Sequence, residues 1–290
     1  MFSNNFAEKR FDMHVHTTAS DGTAAPAGIV RQAAEIGLGG LAITDHDTYD
    51  GLWEAAIAAR QTGLTLIYGV ELSCELACAA GEPMREVHIL GYFYDPLVKE
   101  LGTMLRYLQQ QRRVRAVSIL RALADVGMPL DDAFLRNYAD TGAPGRGLIA
   151  RKLAEAGYVR DSSEAFAHWL GHGCPAYVPR RRLNAARAVR LLHRAGGVAV
   201  MAHPVQAGDD RLVGLLAQAG LDGLECRHPD HDEALCRHYL ALADEFGLAV
   251  SGGSDHHHSG LGEHTAGGAE VLELLRRRRR QRDARRLFAE

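Results

Sequence analysis

The chain has 290 residues, of which 47% are hydrophobic and 24% charged, and its formal net charge is −3. These proportions are those of a globular protein and exclude a disordered chain, a coiled coil and a collagen-like repeat. No apolar run approaches the ~20 residues that span a bilayer. Residues 1–10 are polar and lack the apolar core of a signal peptide. We therefore expect a cytoplasmic protein, and the odd number of cysteines, five, fits reduced thiols in that compartment.

The charges are unevenly distributed along the chain. Residues 99–185 carry 14 Lys and Arg against 8 acids, residues 276–290 carry 8 Arg against 2 acids, and the remainder has a net charge of −15. An acidic body that is rich in histidine suits metal cations, and a basic segment suits an anionic substrate. The run Arg276–Arg280 is interpreted as a solvated helix end, with nucleic-acid binding as the alternative.

Short apolar runs alternate with helical patterns in both halves of the chain. Strands are predicted at 11–17, 41–44, 64–72, 87–94, 198–202, 223–226 and 248–251, and helices at 26–37, 50–63, 186–195, 212–219 and 233–246. Such alternation predicts parallel βαβ units. Six or seven units favour a closed or nearly closed barrel, although periodicity alone also allows an open sheet.

Residues 97–185 interrupt this alternation because they are almost entirely helical in pattern, with a loop at 142–147. The sequence therefore predicts an α/β barrel in two halves, 1–98 and 186–275. A helical insertion, 99–185, separates the halves and binds substrate, and an Arg-rich tail, 276–290, follows the second half.

Histidines and carboxylates recur where the predicted strands end. His14 and His16 are two apart on a strand, so both rings project from the same face. The other such residues are Asp45, His46, Asp47, Glu71, His88, His203, Glu225, Asp255 and His257. In a βα barrel the carboxyl ends of the strands converge on one mouth, so these residues are expected to form a metal site there. Histidine with carboxylate and no cysteine suits Zn, Mn or Fe, and the number of candidate ligands suggests two or three ions.

The motifs FDMHVHTTASDGTAAP, ITDHDT, GVE, AHP and GSDHH resemble those of the polymerase and histidinol phosphatase (PHP) family. This resemblance covers residues 11–95 and 197–258. The insertion, with Gly145-Arg146-Gly147 and the run 149–159, resembles the branch that removes the 3′-phosphate from 3′,5′-nucleoside bisphosphates. Members of that branch are also implicated in trimming short RNA from its 5′ end. The resemblance implies a distorted (β/α)7 PHP barrel that holds up to three metal ions.

The resemblance also implies which residues bind each ion. The first ion would be held by His14, His16, Glu71 and Asp255. The second would share Glu71 as a bridge and add His88 and His203. The third would be held by Asp21, His46 and His257, with Asp21 standing where the family often has histidine. Asp45, Asp47 and Glu225 would orient the ligand imidazoles.

Two or three divalent ions, Mn first and Fe or Zn as alternatives, would lower the pKa of bound water towards ~7. We expect a metal-bridging hydroxide, held by Glu71, His14, His16, His88 and His203, to attack the phosphorus. No Walker loop or GxGxxG motif is present, which disfavours nucleotide-dependent transfer.

A bisphosphate has a second phosphate that must be recognised at a fixed distance from the metals, and arginine does this better than lysine. Arg146, in its glycine-flanked loop, is the best candidate, and His228, just past a strand end, is a second substrate-binding candidate. The weaker candidates, interpreted mostly as solvated helix faces, are Arg112, Arg113, Arg115 and Arg180–Arg182.

The sequence thus predicts a metal-dependent phosphomonoesterase that acts on 3′,5′-nucleoside bisphosphates such as pAp, with 5′–3′ exoribonuclease activity on short RNA as a second possibility. One alternative is histidinol phosphatase or another phosphomonoesterase, although the basic insertion is larger than a single phosphate requires. The other is a non-catalytic PHP module that binds a partner protein, although the predicted ligand set is complete. Neither a membrane nor an obligate protein partner is expected.

Overall fold

The computed structural model describes residues 6–131, 145–180 and 182–287, with side chains through residue 281. The strands are β1 Arg10–Val15, β2 Gly40–Ile43, β3 Thr65–Leu76, β4 Arg85–Tyr92, β5 Leu183–Asn184, β6 Val198–Met201, β7 Gly223–Arg227, β8 Ala249–Gly252 and β9 Ala266–Gly267. The helices are α1 Pro26–Glu35, α2 Leu52–Thr62, α3 Lys99–Asp125, α4 Arg146–Glu155, α5 Ser162–Ala165, α6 Ala185–Arg194, α7 Pro204–Ala207, α8 Arg211–Gln218, α9 Glu233–Glu245 and α10 Gly268–Leu287. A π-helical turn, Phe166–Leu170, follows α5.

Seven strands form the wall of a nearly closed barrel, in the order β8-β7-β6-β4-β3-β2-β1. Past the end of β8, the His256 carbonyl accepts a hydrogen bond from the His16 amide (2.9 Å), and the His256 amide donates to the His14 carbonyl (3.3 Å). These two bonds bring the β8 edge against β1. The predicted distorted seven-stranded α/β barrel is therefore confirmed.

Strand β4 runs opposite to its neighbours, because it is antiparallel to both β3 and β6 while the other wall strands pair in parallel. The expectation that every unit is a parallel βαβ crossover is wrong at this strand. Residues 77–84 form a connection too short for a crossover helix, and so a hairpin results. The reversal turns the amino-terminal half of β4 towards the mouth, where His88 lies opposite Ser73 of β3.

The interior of the barrel is apolar below the mouth. Phe11 and Met13 of β1 pack there with Leu90, Tyr92 and Val200, and all five are buried. Val271 and Leu274 of α10 belong to the same cluster and close the barrel from below. A separate and larger cluster packs helices such as α1, α2, α6 and α8 against the outside of the barrel.

The basic run of α10 lies at the opposite end of the barrel from the metal-ligand candidates. Arg277 donates to the carbonyl of Gly247, and Arg278 donates to the carbonyl of Gly196, both at 2.8 Å. These glycines precede β8 and β6, so the contacts mark the amino-terminal rim of the strands. Arg276 and Arg280 pair with Glu273 and are exposed to solvent. This placement agrees with a solvated helix that covers the base of the barrel.

Between β4 and β6 the chain forms a helical layer over the mouth. Ile119 and Leu123 of α3 pack against Ile149 and Leu153 of α4 in a third apolar cluster. The sequence predicts a loop at Arg146, but this residue begins helix α4, with Gly145 as the extended residue before it. Residues 142–144 of the expected loop lie outside the described residues. Within the described part of the chain, no helix is both long and apolar enough to cross a membrane.

Candidate metal centre and anion pocket

Glu71 of β3 is the centre of the cluster at the mouth, and its side chain is only 1% exposed. Its oxygen Oε1 lies 2.6 Å from His88 Nδ1 and 3.1 Å from His203 Nε2. Its oxygen Oε2 lies within 3.5 Å of the imidazoles of His46, His16 and His14. Five imidazoles from four separate parts of the chain therefore meet at one buried carboxylate.

The imidazoles of His14 and His16 lie on the same side of β1, as their spacing predicts. Both Nε2 atoms approach Asp255 Oδ1, at 3.3 and 3.1 Å. The close packing of the chain before Asp255 depends on Gly253, since a Cβ there would lie 2.4 Å from the backbone nitrogen of His14. Glycine at this position therefore allows β1 and Asp255 to share one site.

Asp21, in the segment after β1, forms the outer part of the centre. Its carboxylate lies 3.3 Å from His257 Nε2 and 3.8 Å from both His46 Nε2 and His16 Nδ1. Arg151 of α4 donates to the Asp21 carbonyl at 2.8 Å, so the helical layer helps to fix this segment. The residues assigned by resemblance to a third ion are thus adjacent in space.

Three residues of the site have an unusual backbone conformation. The φ angles of Asp47, His203 and Asp255 are 54°, 25° and 46°. Positive φ is uncommon for residues other than glycine, and such strain tends to persist where function requires it. The strand ends at these positions therefore turn sharply towards the centre.

The charges in this cluster shift the pKa values of its members strongly. Burial alone would raise the pKa of Glu71, but the imidazoles of His46, His88 and His14 outweigh burial and hold that pKa well below its usual range. Burial opposes the protonation of His88, yet Glu71 raises the pKa of His88 to about 9. For His46 burial dominates and lowers the pKa to about 4.

Several buried polar atoms in the cluster approach one another without making hydrogen bonds. They are His14 Nε2, His16 Nε2, His46 Nδ1, Asp21 Oδ1 and Glu71 Oε2. Buried polar atoms are nearly always hydrogen-bonded, so a convergent set without partners requires an explanation. A divalent cation satisfies such a set, because imidazole nitrogens and carboxylate oxygens are its ordinary ligands. The residues present therefore fit bound metal ions.

Two carboxylates contact ligand histidines, Glu225 directly and Asp45 through a serine, as expected. Glu225 Oε1 lies 3.0 Å from His14 Nδ1, and Oε2 accepts a hydrogen bond from the His203 amide at 2.8 Å. Asp45 acts through Ser20, whose hydroxyl donates to Asp45 at 2.6 Å and lies 3.4 Å from His16 Nδ1. These contacts restrict the orientation of the imidazoles.

Asp47 does not orient an imidazole, and that prediction is wrong. Its Oδ1 accepts a hydrogen bond from the Ser73 amide at 2.9 Å, and its Oδ2 accepts one from Arg112 Nε at 2.5 Å. Arg180 Nη2 lies 3.6 Å from the same Oδ2. Asp47 therefore connects the barrel to arginines of the helical layer.

A cavity of about 490 Å³ separates the metal centre from the helical layer. One side is lined by Asp21, His46, His88 and His257, and the other by Arg112, Arg115, Arg146, Arg151 and Arg180. Arg112 and Arg115 are only 5% and 9% exposed, which contradicts their interpretation as solvated. The spacing of these two arginines could have predicted their burial, since both share the buried face of α3 with Leu108 and Ile119.

Arg146 lies in this cavity, and His228 does not. The Arg146 guanidinium donates to the Leu170 carbonyl at 3.3 Å and lies 5.5 Å from the centre of the Phe166 ring. The expected substrate contact by His228 is wrong, because its side chain is 2% exposed and its Nε2 lies 3.3 Å from Asp255 Oδ2. His228 follows β7, and its contact with Asp255 restricts the orientation of that carboxylate.

Comparison with known proteins identifies relatives along nearly the whole chain. The chain is 34% identical over 254 residues to the 5′-3′ exoribonuclease of Haemophilus influenzae, covering 86% of this chain and 90% of that protein. It is 32% identical to the 3′,5′-nucleoside bisphosphate phosphatase of Chromobacterium violaceum, covering 90% of this chain and 92% of that protein.

The solved structures give the same result at the level of the fold. A crystal structure from Bifidobacterium adolescentis, described as a metal-dependent phosphoesterase, superposes with a TM-score of 0.82 at 32% identity and covers 92% of this chain and 96% of that chain. An amidohydrolase structure from Chromobacterium violaceum, with bound sulfate and no metal, gives 0.82 at 31% identity over the same shares. The PHP domain model matches residues 12–254. With its His- and carboxylate-lined barrel mouth, the chain belongs to the PHP domain family of metal-dependent phosphoesterases.

Proposed function

We propose that this protein is a phosphatase that hydrolyses the 3′-phosphate of 3′,5′-nucleoside bisphosphates to give nucleoside 5′-monophosphates. The observation that carries the proposal is the two-sided cavity, in which metal-ligating residues face a group of arginines. A substrate with two separated phosphates matches both sides at once. The bisphosphate phosphatase among the relatives, at 32% identity, supports the same assignment.

The clusters of potential ligand atoms support three cation sites. The atoms within each cluster lie within 4.8 Å of one another, in the groups His14–His16–Asp255, His14–Glu71–His203, His46–Glu71–His88 and His16–Asp21–His46–His257. The first group, with Glu71, would hold one ion. Glu71 with His88 and His203 would hold the second, and Asp21, His46 and His257 the third. Manganese is the ion that we propose first, with iron or zinc as alternatives.

When bound, divalent ions would neutralise charge on the phosphoryl oxygens and make water acidic enough to act as a nucleophile. The residues of the protein itself would bind the ions and orient the substrate. Glu225 fixes the ring of His14, and His14, His16 and Glu71 are almost fully buried. On the opposite wall the guanidinium groups of Arg146 and Arg180 would hold the phosphate that is not cleaved. Charge-assisted contacts of this kind fix both the distance and the orientation of a substrate.

We propose further that residues 99–185 act as the substrate-binding part and that the two barrel segments, 1–98 and 186–275, act as the catalytic part. The arginines that line the cavity come from the first of these, and the ligand clusters come from the second. Trimming of short RNA from the 5′ end is a second proposed activity, supported by the exoribonuclease relative at 34% identity. A 5′-terminal phosphate would use the same arginines.

One substrate panel tests the proposed function. Release of phosphate is measured with pAp, adenosine 3′-monophosphate, histidinol phosphate and a 5′-phosphorylated dinucleotide, each with added Mn²⁺. We expect pAp to be hydrolysed with the highest kcat/KM. Preference for histidinol phosphate would replace the proposal with that activity, and no turnover of any substrate would favour a non-catalytic module that binds a partner protein.

A further inference from the structure

The arginine side of the cavity contains an acidic residue that belongs to none of the ligand clusters. Glu86 of β4 has a side chain that is 43% exposed. Its Oε2 lies 2.5 Å from Arg182 Nη2 and 3.9 Å from Arg146 Nη2. Its Oε1 lies 3.4 Å from His88 Nε2. A negative charge at this position opposes the binding of any anionic substrate and therefore needs a physical explanation.

Glu86 differs from Asp47, a carboxylate that pairs with two other arginines of the cavity, Arg112 and Arg180. Asp47 is 0% exposed, and both of its oxygens accept hydrogen bonds, so its removal would leave a buried arginine without a partner. Glu86 is 43% exposed, so water can replace part of what its carboxylate loses on leaving Arg182, whose own side chain is 12% exposed. The Glu86 carboxylate can therefore leave its arginines for solvent more readily than the buried Asp47 carboxylate can.

The arginines around Glu86 have capacity for a larger anion than one carboxylate. Arg182 Nε and the Nε and Nη2 atoms of Arg180 are buried and have no hydrogen-bond partner. Glu86 and Arg146 both line the 490 Å³ cavity and a second cavity of about 220 Å³ beside it. Glu86 thus lies at the junction between the two, beside Arg146 and in contact with Arg182.

We propose that Glu86 is a displaceable counter-ion, which neutralises Arg146 and Arg182 until the second phosphate of the substrate takes its place. The inference deepens the proposed function and rests on it for the identity of the anion. On binding, the Glu86 carboxylate exchanges its arginine contacts for water, and the phosphate oxygens take up those contacts. A dianion can compete for the arginines, whereas a neutral or hydroxyl group cannot. Glu86 is therefore a specificity-determining residue that favours substrates with a second phosphate.

Anion binding to the protein after chelator treatment tests this role without any turnover. The affinity for inorganic sulfate is measured by titration calorimetry for the unaltered protein and for Glu86→Gln, whose amide keeps the shape of the side chain. We expect the sulfate Kd of Glu86→Gln to fall by about fivefold, the size of effect that follows from removing one partly exposed ion pair. Glu82→Gln is the matched control, because Glu82 pairs with Arg211 at the surface and carries the same charge. Its sulfate affinity should not change.

An unchanged or weaker sulfate affinity in Glu86→Gln would overturn the inference. An equal gain in Glu82→Gln would also overturn it, because net charge alone would then explain the effect. Tighter sulfate binding in Glu86→Gln, together with no hydrolysis of pAp by the unaltered protein, would support the counter-ion role of Glu86 and contradict the proposed function. The two conclusions are therefore tested separately.

Discussion

Asp47 and Arg112 join the barrel to helix α3 through a buried ion pair, with 2.5 Å between Oδ2 and Nε. Arg112 also donates from Nη2 to the Ser73 hydroxyl at 2.6 Å, so its guanidinium is held at two points on the barrel. Asp47 directly follows His46, one of the metal-ligand candidates. The pair therefore sets the position of the arginine-lined side of the cavity relative to the metal centre.

The Asp47→Asn variant should be markedly less stable than the unaltered protein. The amide keeps the contact with the Ser73 amide but leaves the Arg112 charge buried without its counter-charge. Breaking such a pair typically lowers the free energy of unfolding by about 3 kcal/mol. Urea denaturation measures the change, and Asp50→Asn, at an exposed residue near Gln109, should change it by less than about 0.5 kcal/mol. Similar values for both variants would contradict a structural role for the ion pair.

Replacing Glu71 should remove more than one metal ion. The unaltered protein should contain two or three ions per chain, because the ligand clusters offer more atoms than one ion can use. In Glu71→Gln, the loss of a bridging carboxylate should lower the metal content by more than one ion per chain and abolish turnover. Elemental analysis and phosphate release measure the two effects.

The matched control for that experiment is Glu245→Gln, at an exposed position on α9 away from the clusters. It should retain both metal and activity. A metal content of at most one ion in the unaltered protein, or near-normal metal and rate in Glu71→Gln, would show that the bridging assignment is wrong.

Arg146→Ala should impair a bisphosphate substrate selectively. The guanidinium is proposed to contact the 5′-phosphate, and a hydrogen bond to a charged group contributes roughly 1.5–3 kcal/mol. The value of kcat/KM for pAp should therefore fall by about 10- to 150-fold. Adenosine 3′-monophosphate has no 5′-phosphate to contact, so its kcat/KM should hardly change. Equal losses on both substrates would indicate a folding defect, and no loss on pAp would remove Arg146 from the site.

The exposed arginines of α10 should not contribute to RNA trimming. Arg276 and Arg280 are 67% and 68% exposed and belong to the helix that covers the amino-terminal rim of the barrel, opposite the metal centre. A double replacement by alanine should leave kcat/KM for a 5′-phosphorylated oligonucleotide within about twofold and should not alter its dependence on salt. A reduced salt dependence would instead indicate that RNA contacts this helix.

The sequence by itself determined which residues meet at the mouth of the barrel. His14, His16, Glu71, His203 and Asp255 could be singled out because residue type and position near the end of an apolar run are local properties. In a barrel the strand ends converge whatever the details of the loops, so the cluster followed from the pattern alone. Family motifs added Asp21, which lies on no predicted strand.

Only the tertiary structure decided which way β4 runs and which face of α3 is turned towards the cavity. The residue pattern of a strand does not indicate which way the strand runs in the sheet. The position of His88 near the mouth therefore depends on the pairing of β4 with β3 and β6. An arginine on a helix is solvated unless the fold covers it. Arg112 became part of the cavity wall because the opposing carboxylate of Asp47, 65 residues away, compensates its burial. Long-range pairing of this kind leaves no trace in local periodicity, and for that reason the buried arginines of the cavity emerged only from the fold.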